Sequence, residues 1–310
     1  MNTTLRAGVI GVGYLGAFHA EKYANLDDVE LVAVADADLE RAGAIASRWH
    51  CEPLSDYREL FGRVDCVSLA VPTPFHFGIA RDLLQHDIDV LVEKPMTEAV
   101  SDGRQLVDLA EQRGRILQVG HLERFNPAIR ALRGVLTQPR FIECHRLAPF
   151  VERGTDVDVV LDLMIHDLDV ILSVVNADVQ SVEAVGVPVL SETTDIANAR
   201  LRFTNGCIAN ITASRVALKR ERKIRFFQAD AYVSVDYGDK HVRICRRQPG
   251  DGAAAITVEE LALGEGDALF DEIEHFVHAV RARQRPLVDG RTALRALEVA
   301  ELIRSRMETA

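Results

Sequence analysis

Leu5-Arg6-Ala7-Gly8-Val9-Ile10, then Gly11-Val12-Gly13-Tyr14-Leu15-Gly16, then an amphipathic segment and Leu31-Val32-Ala33-Val34-Ala35-Asp36 decide the fold of this chain. They read as a buried strand, a glycine turn, a helix, a second buried strand and an acid at its end. Gly11 permits the tight turn, Gly13 leaves the backbone open to a pyrophosphate, and Gly16 lets helix and strand pack closely. The helix N-terminus presents free N–H groups and the positive end of its dipole to the phosphates. Asp36 stands 20 residues after Gly16, where a carboxylate accepts bonds from the adenosine ribose hydroxyls. The same acid repels a 2′-phosphate, so the expected cofactor is NAD rather than NADP. Gly11, Gly13, Tyr14, Leu15, Gly16 and Asp36 are its expected contacts on this segment.

The alternation continues downstream. Leu39 to His50 reads as a helix, and Asp56 to Gly62 as a shorter one. Val64 to Val71 is an apolar strand that stops at Pro72-Thr73-Pro74, where the prolines remove ladder donors. His76 to His86 is helical, Ile88 to Val92 a strand, Ser101 to Arg113 a helix with Ser101 as N-cap, and Arg115 to Gly120 a sixth strand. Uniformly apolar strands alternating with helices predict an α/β, doubly wound parallel sheet, a Rossmann domain over residues 1–122. From about residue 140 the strands alternate instead. Ala199 to Phe203 and Cys207 to Thr212 flank Thr204-Asn205-Gly206, a hairpin signal. Ile224 to Phe227 and Tyr232 to Tyr237 read as further strands. Residues 123–310 are therefore expected to form an α+β domain with an open, mainly antiparallel sheet. Its last helices, Ala268 to Arg283 and Thr292 to Met307, are expected to pack back on the first domain.

Composition narrows the function classes. A chain of 310 residues with net charge −11 argues against general nucleic-acid binding. Five scattered cysteines (Cys51, Cys66, Cys144, Cys207, Cys245) form no CxxC pair and fit a reducing cytoplasm. The first strand begins almost at once, leaving no room for a signal peptide, and no apolar run reaches the length of a membrane span.

Ligands of open α/β sheets bind beyond the carboxyl ends of the strands. Three such ends carry polar residues: Thr73-Pro74-Phe75-His76, Glu93-Lys94-Pro95, and Gly120-His121 leading to Arg124 and Asn126. Thr73, Pro74, His76, Glu93 and Lys94 are expected at the cofactor. Lys94 is one of few lysines, it follows a buried strand, and Pro95 biases it to an extended backbone. Such an amine can exchange protons with a substrate, or it can be a solvated loop lysine. In Val159 to Leu172, Asp162, His166 and Asp169 fall at i, i+4 and i+7 of an otherwise apolar helix and form one polar stripe. Buried carboxylates need partners, a ligand or a cavity. Asp162 can orient the His166 imidazole as a base. A satisfied structural network, or a metal site completed by His121 or His145, would use the same residues; no metal is expected, because no HxxxH, HxH or cysteine cluster accompanies them. The run Lys219 to Lys223 reads as a solvated hairpin or edge. Arg146, Arg153 and Arg215 are candidates for holding a diphosphate.

The glycine fingerprint, Glu93-Lys94-Pro95 and Asp162-x-x-x-His166-x-x-Asp169, in that order, resemble the glucose–fructose oxidoreductase/inositol dehydrogenase (Gfo/Idh/MocA) family across essentially the whole chain. The resemblance implies a Rossmann domain followed by an open-sheet domain, often dimeric or tetrameric through that sheet. It implies catalytic roles at a sugar for Lys94, Asp162 and His166, with Asp169 in the later acidic position. Val159-Val160-Leu161 and Met164 stand where members often carry glycines, which bears on substrate fit. Two further stretches, Gly120 to Pro127 and Ile142 to Phe150 with Arg153 to Asp158, resemble a nucleotide-sugar branch of the family whose keto product is aminated for lipid A. That resemblance implies NAD-dependent oxidation at C3 of UDP-N-acetylglucosamine, with His121, Arg124, Asn126, Arg146, Arg153 and Asp169 at the substrate. Three rivals stay open: a polyol or hexose dehydrogenase of the inositol type, a non-catalytic NAD-binding sensor, and a metal-dependent hydrolase.

Overall fold

A computed structural model of the chain describes residues 4–151, 157–247, 256–261, 263–264 and 266–309. The chain divides into two units, Met1–Leu122 with Asp267–Arg295, and Glu123–Gly266 with Ala296–Ala310.

The first unit is built on six parallel strands, β1 (Leu5–Ile10), β2 (Val29–Ala35), β3 (Glu52–Leu54), β4 (Cys66–Leu69), β5 (Asp89–Glu93) and β6 (Leu117–Gly120). Their order is β3-β2-β1-β4-β5-β6, with the switch point between β1 and β4. Every residue of β4 is buried, as a strand covered on both faces requires. Helices α1 (Tyr14–Ala24), α2 (Leu39–Trp49), α3 (His76–Gln85) and α4 (Val100–Arg113) alternate with the strands. Two expectations are corrected. Ala99, not Ser101, occupies the N-cap of α4, with no side-chain cap bond, because the helix starts at Val100, two residues earlier than a Ser101 cap allows. The segment Asp56 to Gly62 yields only a 3-10 turn over Tyr57–Leu60, capped by Asp56.

The helix α7 (Ala268–Ala282) belongs to this unit: Ile273, Phe276, Val277 and Val280 enter the same core as Tyr23, Val34 and Leu91. After it, Arg283 forks onto Asp89 at the foot of β5.

The second unit carries a short helix, α5 (Pro127–Arg130), a strand β7 (Phe141–Leu147), a π-helical turn over Val160–Met164 that runs into α6 (Ile165–Val174), and then β8 (Val179–Val187), β9 (Ile196–Phe203), β10 (Ile208–Ser214), β11 (Glu221–Phe227), β12 (Ala231–Asp236), β13 (His241–Arg247) and β14 (Ile256–Leu261). After α8 (Gly290–Arg306), Met307–Thr309 adds β15. The nine-stranded sheet has the order β14-β13-β12-β11-β7-β10-β9-β8-β15. It is mainly antiparallel, with β7/β10 and β8/β15 parallel. Burial alternates residue by residue along β9 and β7, so one face is apolar and the other carries pairs such as Asn198–Thr212, Arg200–Asn210 and Arg225–Glu143. The hairpin at Asn205-Gly206 forms, with Gly206 at φ +84° and the Asn205 side chain accepting the Cys207 N–H.

Three further readings change here. The last helix spans Gly290–Arg306, not Thr292 to Met307, because Met307 leaves it to pair with Ala184 of β8. Lys219 to Lys223 leads into an interior strand, since β11 lies between β7 and β12. The segment at Val159 begins as a π turn rather than as regular α-helix. No helix among the described residues is long and apolar enough to cross a membrane.

Candidate active site

The first unit supplies a dinucleotide cradle. Gly11 has φ +80°, and a Cβ there would lie 2.7 Å from the Ala70 carbonyl oxygen and from a Val71 methyl. A Cβ on Gly16 would stand 1.7 Å from the Gly11 carbonyl oxygen, whereas one on Gly13 would meet nothing within 4 Å. The first and third glycines are thus demanded by the protein's own packing. The second opens space at the N-cap of α1, where phosphate oxygens are received by helix N–H groups. Asp36 at the end of β2 is anchored: Oδ2 accepts the Val12 N–H at 2.9 Å and Oδ1 the Asp38 N–H at 2.9 Å. Its carboxylate is 3.4 Å from the Arg41 guanidinium. Tyr14 and Leu15 are exposed beside the turn, Tyr14 edge-on to Phe18. These residues fit an NAD(P) dinucleotide: an open backbone for the phosphates and a fixed acid for a ribose. Gly13→Ala, whose Cβ would meet nothing in the protein itself, is expected to keep the fold but weaken NADH binding, measured by fluorescence titration, by at least about tenfold; wild-type affinity would show that the turn has another purpose.

At the neighbouring strand ends Thr73 and Pro74 form a 3-10 turn. His76 lies deeper than expected for a cofactor contact. It is buried, with Nε2 2.8 Å from the Val71 carbonyl and Nδ1 2.9 Å from the Pro95 carbonyl, so it ties the loop after β4 to the loop after β5. Burial lowers its pKa. Lys94 directly follows β5 and precedes a cis peptide bond to Pro95. Glu93 turns inward, its side chain 13% exposed and bonded to His19 of α1, so it reaches that helix rather than open solvent. His121, just past β6, is buried.

The second unit holds the acid–histidine helix. Asp158 caps its start, accepting the N–H groups of Val160 and Leu161, and receives Arg304 on its other oxygen. Asp162 lies in the π turn and His166 in the first turn of α6, both half-buried. A π insertion inside a helix is rare and recurs at functional sites. The expected single stripe is divided: Asp169 is 1% exposed and turns to Arg124, 3.4 Å away. Asn126 caps α5 and donates to Glu123. Arg146 is 3% exposed, bidentate to Asp167 at 2.8 Å and bonded to Glu123 at 3.0 Å. Expected at a diphosphate, it is instead the centre of a buried ion triad, because β7 points it at α6. Arg215 is likewise committed, to Asp195 and to the Val157 carbonyl. Arg153 lies outside the described residues. Among those residues no three His, Cys, Asp or Glu side chains cluster as metal ligands. Sequence reasoning missed His19, Asp158 and the Glu123–Arg146–Asp167 triad; only His19 carried a signal, one helical turn past Gly16.

A phosphate-binding glycine turn on a six-stranded parallel sheet, in one chain with an open sheet that carries an aspartate–histidine helix, defines an NAD(P)-binding oxidoreductase acting on CH–OH groups. The description "Oxidoreductase family, NAD-binding Rossmann fold" matches residues 5–121, and "GFO/IDH/MocA C-terminal domain" matches residues 128–233. The chain belongs to the Gfo/Idh/MocA family. It is 39% identical over 307 residues to the UDP-N-acetylglucosamine 3-dehydrogenase of Acidithiobacillus ferrooxidans, covering 98% of this chain and 97% of that one. A crystal form of that enzyme superposes with a TM-score of 0.92 at 38% identity over 98% and 97% of the two chains. The inositol 2-dehydrogenase of Rubrobacter xylanophilus is 34% identical over 175 residues, 53% of this chain and 50% of that one. A 3-ketoreductase from Actinomadura kijaniata shares the fold at 21% identity, with a TM-score of 0.86 over 99% of both chains.

Proposed function

We propose that this protein oxidises the C3 hydroxyl of UDP-N-acetylglucosamine to a ketone with NAD as acceptor. One observation carries the reading. The likeness to a nucleotide-sugar dehydrogenase runs through both units at 39% identity, whereas a scyllo-inositol 2-dehydrogenase of Bacillus subtilis, also matched over nearly the whole chain, is 24% identical. Most of the residues proposed at the sugar (Arg124, Asn126, Asp162, His166 and Asp169) belong to the second unit, so likeness that extends through that unit bears on the substrate. Held at the turn of Gly11, Gly13 and Gly16 and by Asp36, NAD would supply the hydride acceptor for the carbon being oxidised. His166 receives the hydroxyl proton, Asp162 orients the imidazole, and Lys94 holds the hydroxyl and stabilises the negative charge that grows on its oxygen. Alcohol and NAD⁺ give ketone, NADH and one proton. The anchored carboxylate of Asp36 favours NAD, since a 2′-phosphate would meet a charge already fixed in place. His121, Arg124, Asn126, Asp169 and Arg153 are proposed at the sugar nucleotide; the Arg124 guanidinium is partly exposed and already aligned by an acid. A homodimer or homotetramer formed through the nine-stranded sheet, in the cytoplasm, completes the proposal.

The test is NAD reduction followed by nicotinamide absorbance against UDP-N-acetylglucosamine, free N-acetylglucosamine and myo-inositol. Turnover is expected with the nucleotide sugar, and UDP is expected to compete with it. Turnover of inositol that UDP leaves unchanged would replace this reading with the polyol one.

A further inference from the structure

A chain of buried polar groups runs beneath the cofactor turn. His19, on the inward face of α1 three residues after Gly16, places Nε2 2.9 Å from Glu93 Oε1 and Nδ1 3.0 Å from Ser68 Oγ. Ser68, on β4, is in turn 3.0 Å from the hydroxyl of Tyr23, also on α1. The other oxygen of Glu93 accepts the Lys94 backbone N–H at 3.3 Å. A carboxylate only accepts, so His19 Nε2–H donates to Glu93. A neutral imidazole then accepts at Nδ1 from the Ser68 hydroxyl, which accepts from Tyr23. In that tautomer every bond points the same way and ends at one carboxylate. Burial pushes the Glu93 pKa up, but the bond from His19 and the electrostatic influence of His19, Lys94 and His76 together outweigh it, and the group stays below its ordinary value.

The carboxylate is also boxed from the far side. A Cβ on Gly120, at the end of β6, would lie 3.0 Å from Glu93 Oε2. Three contacts therefore fix one side chain: α1 through His19, the turn after β5 through the Lys94 N–H, and β6 through a missing side chain. That investment exceeds what strand termination needs. Burying an acid and a histidine is favourable only when geometry and bonding are complete, and here the completed pair joins the helix whose N-terminus receives the phosphates to the peptide that carries Lys94.

We propose that His19 and Glu93 are a positioning pair that couples the dinucleotide-bearing helix α1 to the turn carrying Lys94, so that cofactor occupancy sets the placement of the amine. The idea rests on Lys94 acting at the substrate, and it is tested without any sugar. Lys94 acetylation by acetic anhydride, quantified by mass spectrometry, is measured with and without NAD, alongside NAD affinity by calorimetry. In the wild type NAD is expected to change the Lys94 labelling rate at least about fivefold, and in His19→Ala and Gly120→Ala this response is expected to fall below about twofold while NAD affinity stays within about threefold. His19→Gln, which keeps a donor towards Glu93, should recover part of the response. Gly120→Ala perturbs the carboxylate without emptying a buried site, so it reads the coupling even if His19→Ala fails to fold. Three results would overturn the proposal: no NAD response of Lys94 in the wild type, an undiminished response in folded variants, or a response lost only in step with NAD affinity and melting temperature. None of these depends on which sugar is oxidised. With a turned-over substrate in hand, the same variants should lower kcat and leave KM for the sugar near its wild-type value.

Discussion

His166→Ala and Lys94→Ala each bind NAD with near wild-type affinity and lose turnover by about 10²–10⁴-fold, the range a positioned acid–base group contributes. The separation of the two readouts follows from where the residues lie. The phosphate cradle is made by Gly11, Gly13 and Gly16 and by the Asp36 carboxylate held on Val12 and Asp38. Neither His166 nor Lys94 contributes to it. In the proposed mechanism His166 instead supplies the proton acceptor and Lys94 the positive charge at the reacting hydroxyl. Asp162→Asn should fall between them and the wild type, because it keeps the shape of the orienting group and loses its charge. The double variant should be little worse than either single one, since groups that act on one bond-breaking event are not additive. Equilibrium NAD binding and steady-state NADH formation check the whole set. Full activity in either alanine variant removes that residue from the chemistry.

The same contrast shows what a sequence can disclose. The Rossmann half was readable because parallel strands buried on both faces must be apolar throughout, as β4 is, and because the glycine spacing answers to contacts within some sixty residues. The Asn205-Gly206 hairpin was readable because its turn is local. What escaped was decided at long range. The hydrophobic pattern of Val159 to Leu172 is the same for i→i+4 and i→i+5 bonding. The π turn over Val160–Met164 instead follows a start capped by Asp158, which is itself held by Arg304 near the other end of the chain. Met307 reads as a helical residue until β8 offers it a ladder. Arg146 reads as a cation on an alternating strand; only the approach of Glu123 and Asp167 decides that it serves the interior. His19 is the instructive case. A histidine one turn past the last glycine on an inward helix face is a visible oddity, but its partners Ser68 and Glu93 come from two other strands.

Arg146→Ala is expected to cost about 3–5 kcal/mol and to lower the melting temperature by on the order of 10 °C. Arg146 lies under the Tyr237 ring, its guanidinium 5.7 Å from the ring centre, and its bonds to Asp167 and Glu123 use both edges of the fork. Burial opposes its charge, yet the two carboxylates hold it firmly protonated. Removing it leaves two buried acids with no counter-charge, and the penalty is theirs rather than a measure of what the ion pairs contribute. The variant's deficit should therefore narrow between about pH 8 and pH 5: acids without a counter-ion have raised pKa values in the folded variant, so they take up protons there as the pH falls, and each proton bound by the native state but not the unfolded one stabilises it. Removing the charges together, as Arg146→Met with Glu123→Gln and Asp167→Asn, should restore most of the lost stability, because a buried ion cluster replaced by groups of similar volume is often close to neutral. Activity need not return with it. Asp167 adjoins His166 in the first turn of α6, so the bidentate bond from β7 fixes the rotation of that turn, and the uncharged triple variant should fold while turning over more slowly than the wild type. Thermal unfolding across this pH range, with NADH formation on the same samples, separates the two consequences. A single Arg146→Ala variant that melts with the wild type would show that the triad is open to water in solution.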